Sequence, residues 1–256
     1  MGDGVLAAWA QRLRQGRDPR QARYLTAASL RWVLTHRAFT PGYLVRYARL
    51  AAFRLRNPHV VLEGMVFLGR GTRLYARPGY GRLVIGPWVH IGDLTRLRAH
   101  EGTLRIGDRT VFGRDASVNC YLDVEIGGAS MVADWVYVCD FDHRTYDEGP
   151  GARERPIKDL GLVKSPVRIG PGSWLGVRST VLRGTTMGSG CVLAAHAVAR
   201  GSYPDDSVIA GVPGQAVRDR TRAATVRGAT VRTAARPATP SRGRRRPPGV
   251  GDVTVA

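Results

Sequence analysis

Lysine is nearly missing from this chain. Lys158 and Lys164 are the only two among 39 basic residues, and 20 carboxylates leave a net charge of +19. So strong a preference for arginine points to genome composition rather than to selection for a polyanionic partner. Much of the excess charge sits at one end. Residues 221–256 hold eight arginines against Asp252, with Pro237, Pro240, Pro247 and Pro248 blocking regular structure. That segment cannot bury enough apolar surface to offset its ordering entropy, so a disordered basic tail is expected. It carries weak attraction to anionic surfaces, and no nucleic-acid partner is expected. Cysteine is scarce too: Cys120, Cys139 and Cys191 are odd in number and lack metal-ligand spacing, against a disulfide framework or a zinc cluster. No apolar run approaches the roughly 18 residues of a membrane span. Met1-Gly2-Asp3-Gly4 opens without the basic and apolar blocks of a signal peptide, so a cytoplasmic location is expected. Also missing is the period-two alternation, broken by regular turns, that marks a β-sandwich.

What is present is a period of six. Ile169, Leu175, Val181, Met187 and Leu193 stand six apart, with Gly170, Gly176, Gly188 and Ala194 directly after four of them. Four residues after each apolar position sits a small one: Ser173, Ser179, Thr185, Cys191 and Ala197. Neither helix nor strand periodicity produces this, whereas a parallel β-helix does. Each repeat is one short strand and one corner, and the glycine is expected to supply the corner's backbone angles. Upstream the register recurs in triplets: Ile85, Ile91, Leu97; then Ile106, Phe112, Val118; then Ile126, Val132, Val138. Three repeats make one coil of a triangular prism. The surplus residues fall between triplets, around 100–104, 120–124 and 140–166, so stacking places every insertion at one corner. Loops on a rigid scaffold usually carry function, and that corner is where chemistry is expected.

The chain therefore divides into a helical segment over 1–57, a β-helix over 58–220 and the tail over 221–256. Pro19 to Thr35 and Pro41 to Arg56 read as helices, the second opened by Thr40-Pro41 and stopped by Asn57-Pro58. The second is expected to pack on the prism, over its open end or an adjacent face. Between Val60 and Leu83 the ladder looks irregular, with Leu68-Gly69 and Leu74 as an imperfect first coil.

The longest insertion begins Cys139-Asp140-Phe141-Asp142-His143-Arg144-Thr145-Tyr146-Asp147 and returns at Pro166-Val167-Arg168. An imidazole titrates near neutrality, which suits His143 to general-base work on a hydroxyl. Asp140, Asp142 or Asp147 could fix its tautomer, and spacing does not choose among them. Cys120 and Cys139 flank the corner, but nothing in the sequence would lower a thiol pKa there.

From Asp140 to Arg220 the residues resemble the hexapeptide-repeat acyltransferases with a left-handed parallel β-helix, including the maltose, galactoside and colanic-acid-type O-acetyltransferases. The matching pieces are Asp142-His143, Pro156-Ile157, Pro166-Val167-Arg168-Ile169-Gly170-Pro171-Gly172-Ser173-Trp174-Leu175-Gly176, and Val208-Ile209-Ala210-Gly211-Val212-Pro213-Gly214. The resemblance implies acyl transfer from acyl-coenzyme A, without a metal, to a hydroxyl of a sugar or saccharide precursor. It implies a homotrimer with sites between neighbouring prisms, the 144–165 loop reaching across to a neighbour. It assigns His143 as general base and Asn119 to the acceptor site, with Arg98 at the equivalent position one coil earlier. Trp174 and Gly176 would lie by the pantetheine arm, and Arg200 and Arg218 by the coenzyme phosphates. The chain departs from the family at Lys158-Asp159-Leu160, where glutamine commonly follows Pro-Ile, and at Gly214, where alanine is usual.

Rival functions are narrower. A γ-class carbonic anhydrase on the same prism needs histidines four apart, and His36, His59, His90, His100, His143 and His196 contain no such pair. A sugar octanoyltransferase of polysaccharide assembly or an N-acyltransferase on an amino sugar would use the same corner. A non-catalytic scaffold tethered by its tail would need His143 for nothing.

Overall fold

The period of six becomes strands of two to five residues separated by corners. A computed structural model describes residues 26–145 and 156–221 of the chain. The first coil is β1 (Val61–Leu62), β2 (Val66–Leu68) and β3 (Arg73–Ala76), and the second is β4 (Gly81–Ile85), β5 (Val89–Ile91) and β6 (Arg96–Ala99). The third is β7 (Gly102–Ile106), β8 (Val111–Phe112) and β9 (Ser117–Cys120), and the fourth is β10 (Asp123–Ile126), β11 (Met131–Val132) and β12 (Tyr137–Cys139). An insertion holding β13 (Phe141–His143) and β14 (Leu162–Lys164) follows. The coils resume with β15 (Val167–Ile169), β16 (Trp174–Leu175) and β17 (Thr180–Val181), then β18 (Thr186–Met187), β19 (Val192–Leu193) and β20 (Val198–Ala199). The last strands are β21 (Ser202–Tyr203), β22 (Ser207–Ala210) and β23 (Gln215–Asp219).

Every third strand pairs in parallel, giving three faces ordered β1-β4-β7-β10-β15-β18-β21, β2-β5-β8-β11-β16-β19-β22 and β3-β6-β9-β12-β17-β20. β23 closes the second face antiparallel to β22. The apolar positions read from the sequence stack in register. Leu62, Ile85, Ile106, Ile126, Ile169, Met187 and Tyr203 form one internal ladder. Leu74, Leu97, Val118, Val138, Val181 and Ala199 form another. These side chains make the core of the prism. The irregular stretch before Leu83 is a complete coil: Leu62, Leu68 and Leu74 stand six apart, with Glu63 and Tyr75 in two of the glycine slots.

The corners differ from expectation. The glycine after each apolar residue is needed for close approach, not for its backbone angles. A Cβ on Gly92 would lie 2.2 Å from the Gly113 carbonyl oxygen of the next coil, and one on Gly107 would lie 2.2 Å from Gly128 N. The left-handed conformation falls two residues later, at Trp88 (φ 63°), Leu94 (61°), Arg109 (54°), Asp115 (56°), Ala129 (54°), Trp135 (55°), Arg178 (56°) and His196 (60°). The small residues serve as internal corner braces. The Ser173 hydroxyl donates to Gly170 O at 2.7 Å and Thr110 to Gly107 O at 2.9 Å.

Two helices lie against the first coils, α1 (Ala27–Thr35) and α2 (Pro41–Arg56). Thr26 caps α1 by accepting from Ser29 N at 3.1 Å, and proline opens α2. Trp32, Tyr43 and Tyr47 pack around Phe67 on the second face, and Leu50 of α2 joins the core of the prism. Phe67 of β2 is fully buried, its ring 5.0 Å from Trp32 and 4.3 Å from His90. The start expected for the first helix at Pro19 and the tail over 222–256 lie outside the described residues. No described helix is long and apolar enough to cross a membrane.

Candidate active site

All the surplus residues meet at one edge. The third face passes to the first through 77–80, 100–101, 121–122 and 140–166, between β3 and β4, β6 and β7, β9 and β10, and β12 and β15. The longest insertion rises as a hairpin. β13 pairs antiparallel with β14, His143 opposite Leu162, and Ser165 N donates to Asp140 O at 2.9 Å to close its base. Residues 162–164 thus return onto their own chain, and Asp147 lies outside the described residues.

The carboxylates beside His143 have different roles. Asp140 is fully buried and accepts from Tyr121 N, Leu122 N and Asp123 N at 2.8, 2.7 and 2.8 Å. It braces the β9–β10 corner, which corrects its candidacy for orienting the imidazole. Asp142 accepts from Arg183 Nε of the following coil at 2.6 Å. Among the described residues no carboxylate hydrogen-bonds the exposed His143 ring.

Asn119 is buried, and register places it between Arg98 of the coil before and Cys139 of the coil after. Arg98 donates to Asn119 Oδ1 at 3.4 Å, a long contact. The thiols are ordinary: burial, then the Asp140 charge, raises the pKa of Cys120, and burial raises that of Cys139. Neither is a ready nucleophile.

The structure adds residues that the motif reading passed over. His100 stacks on Tyr121 (4.7 Å, 15°), Tyr121 meets Phe141 edge-on (4.5 Å), and Phe141 meets His143 edge-on (6.4 Å). Lys164 lies over the Tyr121 ring at 5.5 Å and pairs with Glu101. Burial and then the Arg98 charge lower the His100 pKa; Arg77 acts in the same direction, against Asn119 and Glu101. This imidazole stays neutral at pH 7. Its position was readable: Ala99-His100, Cys120-Tyr121 and Asp140-Phe141 occupy one register in successive coils.

The residues carried over for the donor do not form one group. Trp174 and Arg218 share a cleft of about 600 Å³ on the second face with Met131, Val192 and Arg220. Arg220 there donates to Gly190 O at 2.9 Å. Gly176 faces the next coil, where a Cβ would lie 2.6 Å from Ala195 N, so coil packing by itself calls for a glycine there. Arg200 follows β20 at the insertion edge, away from Trp174. In a triangular prism that edge lies opposite the second face, so His143 and the Trp174 cleft are on different sides of one chain.

Residues 166–197 match the family described as the hexapeptide repeat of succinyl-transferase. A probable acetyltransferase of Mycobacterium tuberculosis is 58% identical over 204 residues, covering 80% of this chain and 66% of that protein. A putative lipopolysaccharide biosynthesis O-acetyl transferase of Escherichia coli is 36% identical over 115 residues, covering 42% and 59%. The chain thus spans less than two thirds of the length of either relative. A solved maltose O-acetyltransferase from Clostridium difficile is 21% identical with a TM-score of 0.42, covering 63% of this chain and 69% of that one. The chain carries the hexapeptide repeat and, along its prism, is similar to acetyltransferases built on it.

Proposed function

We propose that the protein is an acyltransferase that moves an acetyl or longer acyl group from acyl-coenzyme A to a hydroxyl of a sugar or saccharide precursor in the cytoplasm. The observation that carries this reading is the insertion edge itself. It holds an exposed imidazole at the base of a hairpin, one strand on from the register position shared by Asn119 and Cys139. His143 removes the acceptor hydroxyl proton as the oxygen attacks the thioester carbonyl carbon. The C–S bond then breaks, and the thiolate takes that proton back from the imidazolium. A backbone N–H near the loop steadies the oxyanion. Asn119 orients the acceptor.

The second-face cleft suits the donor: guanidinium groups of Arg218 and Arg220 for phosphates, Trp174 and Met131 for the pantetheine arm. Because this cleft and His143 face different sides of one chain, a homotrimer in which one protomer's edge meets its partner's second face completes the site. His143→Ala should lower kcat about 10²–10⁴-fold with an unchanged melting temperature. Undiminished turnover in a well-folded variant would remove His143 from this role.

A further inference from the structure

At the insertion edge the carboxylates Asp140, Asp142, Glu101 and Asp123 have partners, and the guanidinium groups of Arg98 and Arg77 pair with none of them. Asp140 is held by three backbone amides, Asp142 by Arg183, Glu101 by Lys164, and Asp123 by Arg168. Arg98 has no carboxylate partner among the described residues. Its guanidinium reaches only Asn119 Oδ1, and a neutral amide leaves the charge uncompensated. Arg77, one coil below, rests on the Tyr80 ring at 4.3 Å and is otherwise exposed. The backbone brings both to the start of the His100 turn: Arg98 stands two residues before His100, and Arg77 N donates to Ala99 O at 2.9 Å. That imidazole stays neutral, so it adds no further positive charge and keeps one nitrogen able to accept a hydrogen bond.

Arg98 is half-buried, and such a cation without a counter-charge is costly unless a ligand supplies one. Arg98 is fixed in register between the Tyr75 and Asn119 positions, so its charge is presented at a set place on the third face. It stands two coils from Cys139, about 10 Å along the prism at ordinary strand spacing. The strand that launches His143 thus begins further along the same edge.

We infer that the acceptor is an acidic saccharide, its carboxylate or phosphate held by Arg98 and Arg77 while the reacting hydroxyl lies toward His143. The inference rests on the acyltransfer reading for the word acceptor, and on the arginine pair for the charge. A neutral saccharide of the same shape would leave both guanidinium groups unpaired in the complex. An acidic one forms a charge-assisted contact in a geometry that favours arginine over lysine.

The test uses the full-length protein and two matched pairs: glucuronic acid with glucose, and cellobiouronic acid with cellobiose. Calorimetric titration should show each acid binding at least about tenfold more tightly than its neutral partner, an advantage that shrinks between 50 and 500 mM salt. Arg98→Gln should erase the preference and Arg77→Gln should reduce it, with melting temperatures and acyl-coenzyme A affinity unchanged. If Arg98→Gln does not fold, the exposed Arg77→Gln carries the same readout. Equal or undetectable binding within both pairs overturns the inference, as does a preference that survives in both variants. A parallel loss of acyl-coenzyme A affinity would assign the arginines to the donor phosphates and equally overturn it. Turnover separates the two readings: selective binding of an acid that is never acylated counts against acyl transfer and leaves the anion site standing. Acylation without selectivity counts against the anion site alone.

Discussion

The coils after the insertion and the corner that carries it are built on different principles. From Ile169 to Ala197 five hexapeptides follow without interruption, and most positions are fixed by fit: an apolar side chain inward, in four of the five a glycine or alanine where the next coil crosses (Leu182 stands in the other), a small residue inside the corner. At the insertion corner little is fixed by fit. There Asp140 satisfies three amide N–H groups, Asp142 pairs across to the next coil, and rings from three strands or turns lie against one another. The regular coils hold because every repeat makes the same contacts. The corner holds because a few polar groups are each placed once. The first kind of order shows as periodicity; the second has no period at all.

That difference gives the largest stability effect we expect. Asp140→Ala would remove the buried carboxylate that three partly buried N–H donors share, and should lower stability by roughly 3–5 kcal/mol. Asp142→Ala breaks a partly exposed pair with Arg183 and should cost about 1 kcal/mol or less. Denaturant titration of the two variants separates them. Equal losses would mean that Asp140 is no more structural than Asp142. In the regular region the corresponding break is Gly107→Ala. Its Cβ would meet backbone at 2.2 Å, and backbone cannot rotate aside. About 2–3 kcal/mol is expected, within the range for overpacked cores.

These effects show how far the sequence could be read. The three ladders, the single corner of insertions and the register of Arg98, Asn119 and Cys139 follow from counting by sixes. The roles of Asp140 and Asp142 do not, because two aspartates two residues apart look alike until their oxygens find partners. Gly176 is the opposite case. Its place in a family motif suggested a ligand, while the hexapeptide rule already explained it as the slot where the next coil crosses. His100 could have been found by aligning the insertions with one another rather than searching for the longest. The left-handed angles stayed hidden because the chain places tryptophan, leucine, arginine, alanine and histidine there, residues that do not advertise a positive φ.

A smaller effect distinguishes the helix-covered face from the open corner by pH. Burial, then the charge of Arg46, lowers the His90 pKa beneath α2, and His100 is lowered at the insertion corner. A folded-state pKa below the ordinary histidine value of 6.5 means that the unfolded chain binds the proton first. The stability tied to these groups is therefore complete above about pH 6.5 and declines as pH falls further. Melting temperature should drop between pH 7.5 and 5.5. His90→Phe, which keeps a ring against Phe67, should flatten that drop more than His100→Phe does, because His90 lies in the more covered setting. An unchanged slope in His90→Phe would place the pH sensitivity elsewhere.

The smallest expected effect lies in the corners between the first and second faces. Successive coils place Arg109, Ala129, Gly172 and Gly190 there, all with positive φ, at 54°, 54°, 68° and 69°. Two coils use glycine and two do not. A left-handed conformation costs a residue with a Cβ about 1–2 kcal/mol, while glycine's greater freedom in the unfolded chain takes back about 0.4–1 kcal/mol. Ala129 is exposed, so replacing it removes no core contact. Ala129→Gly should therefore stabilise the prism by about 0.5–1 kcal/mol, seen as a rise of about 1–3 °C in melting temperature. The reverse change at the matching position, Gly172→Ala, has open space around the new Cβ and should cost a similar amount through strain alone. If both substitutions shift stability in the same direction, backbone conformation is not what distinguishes these coils, and the alternation of glycine with other residues along this edge has another cause.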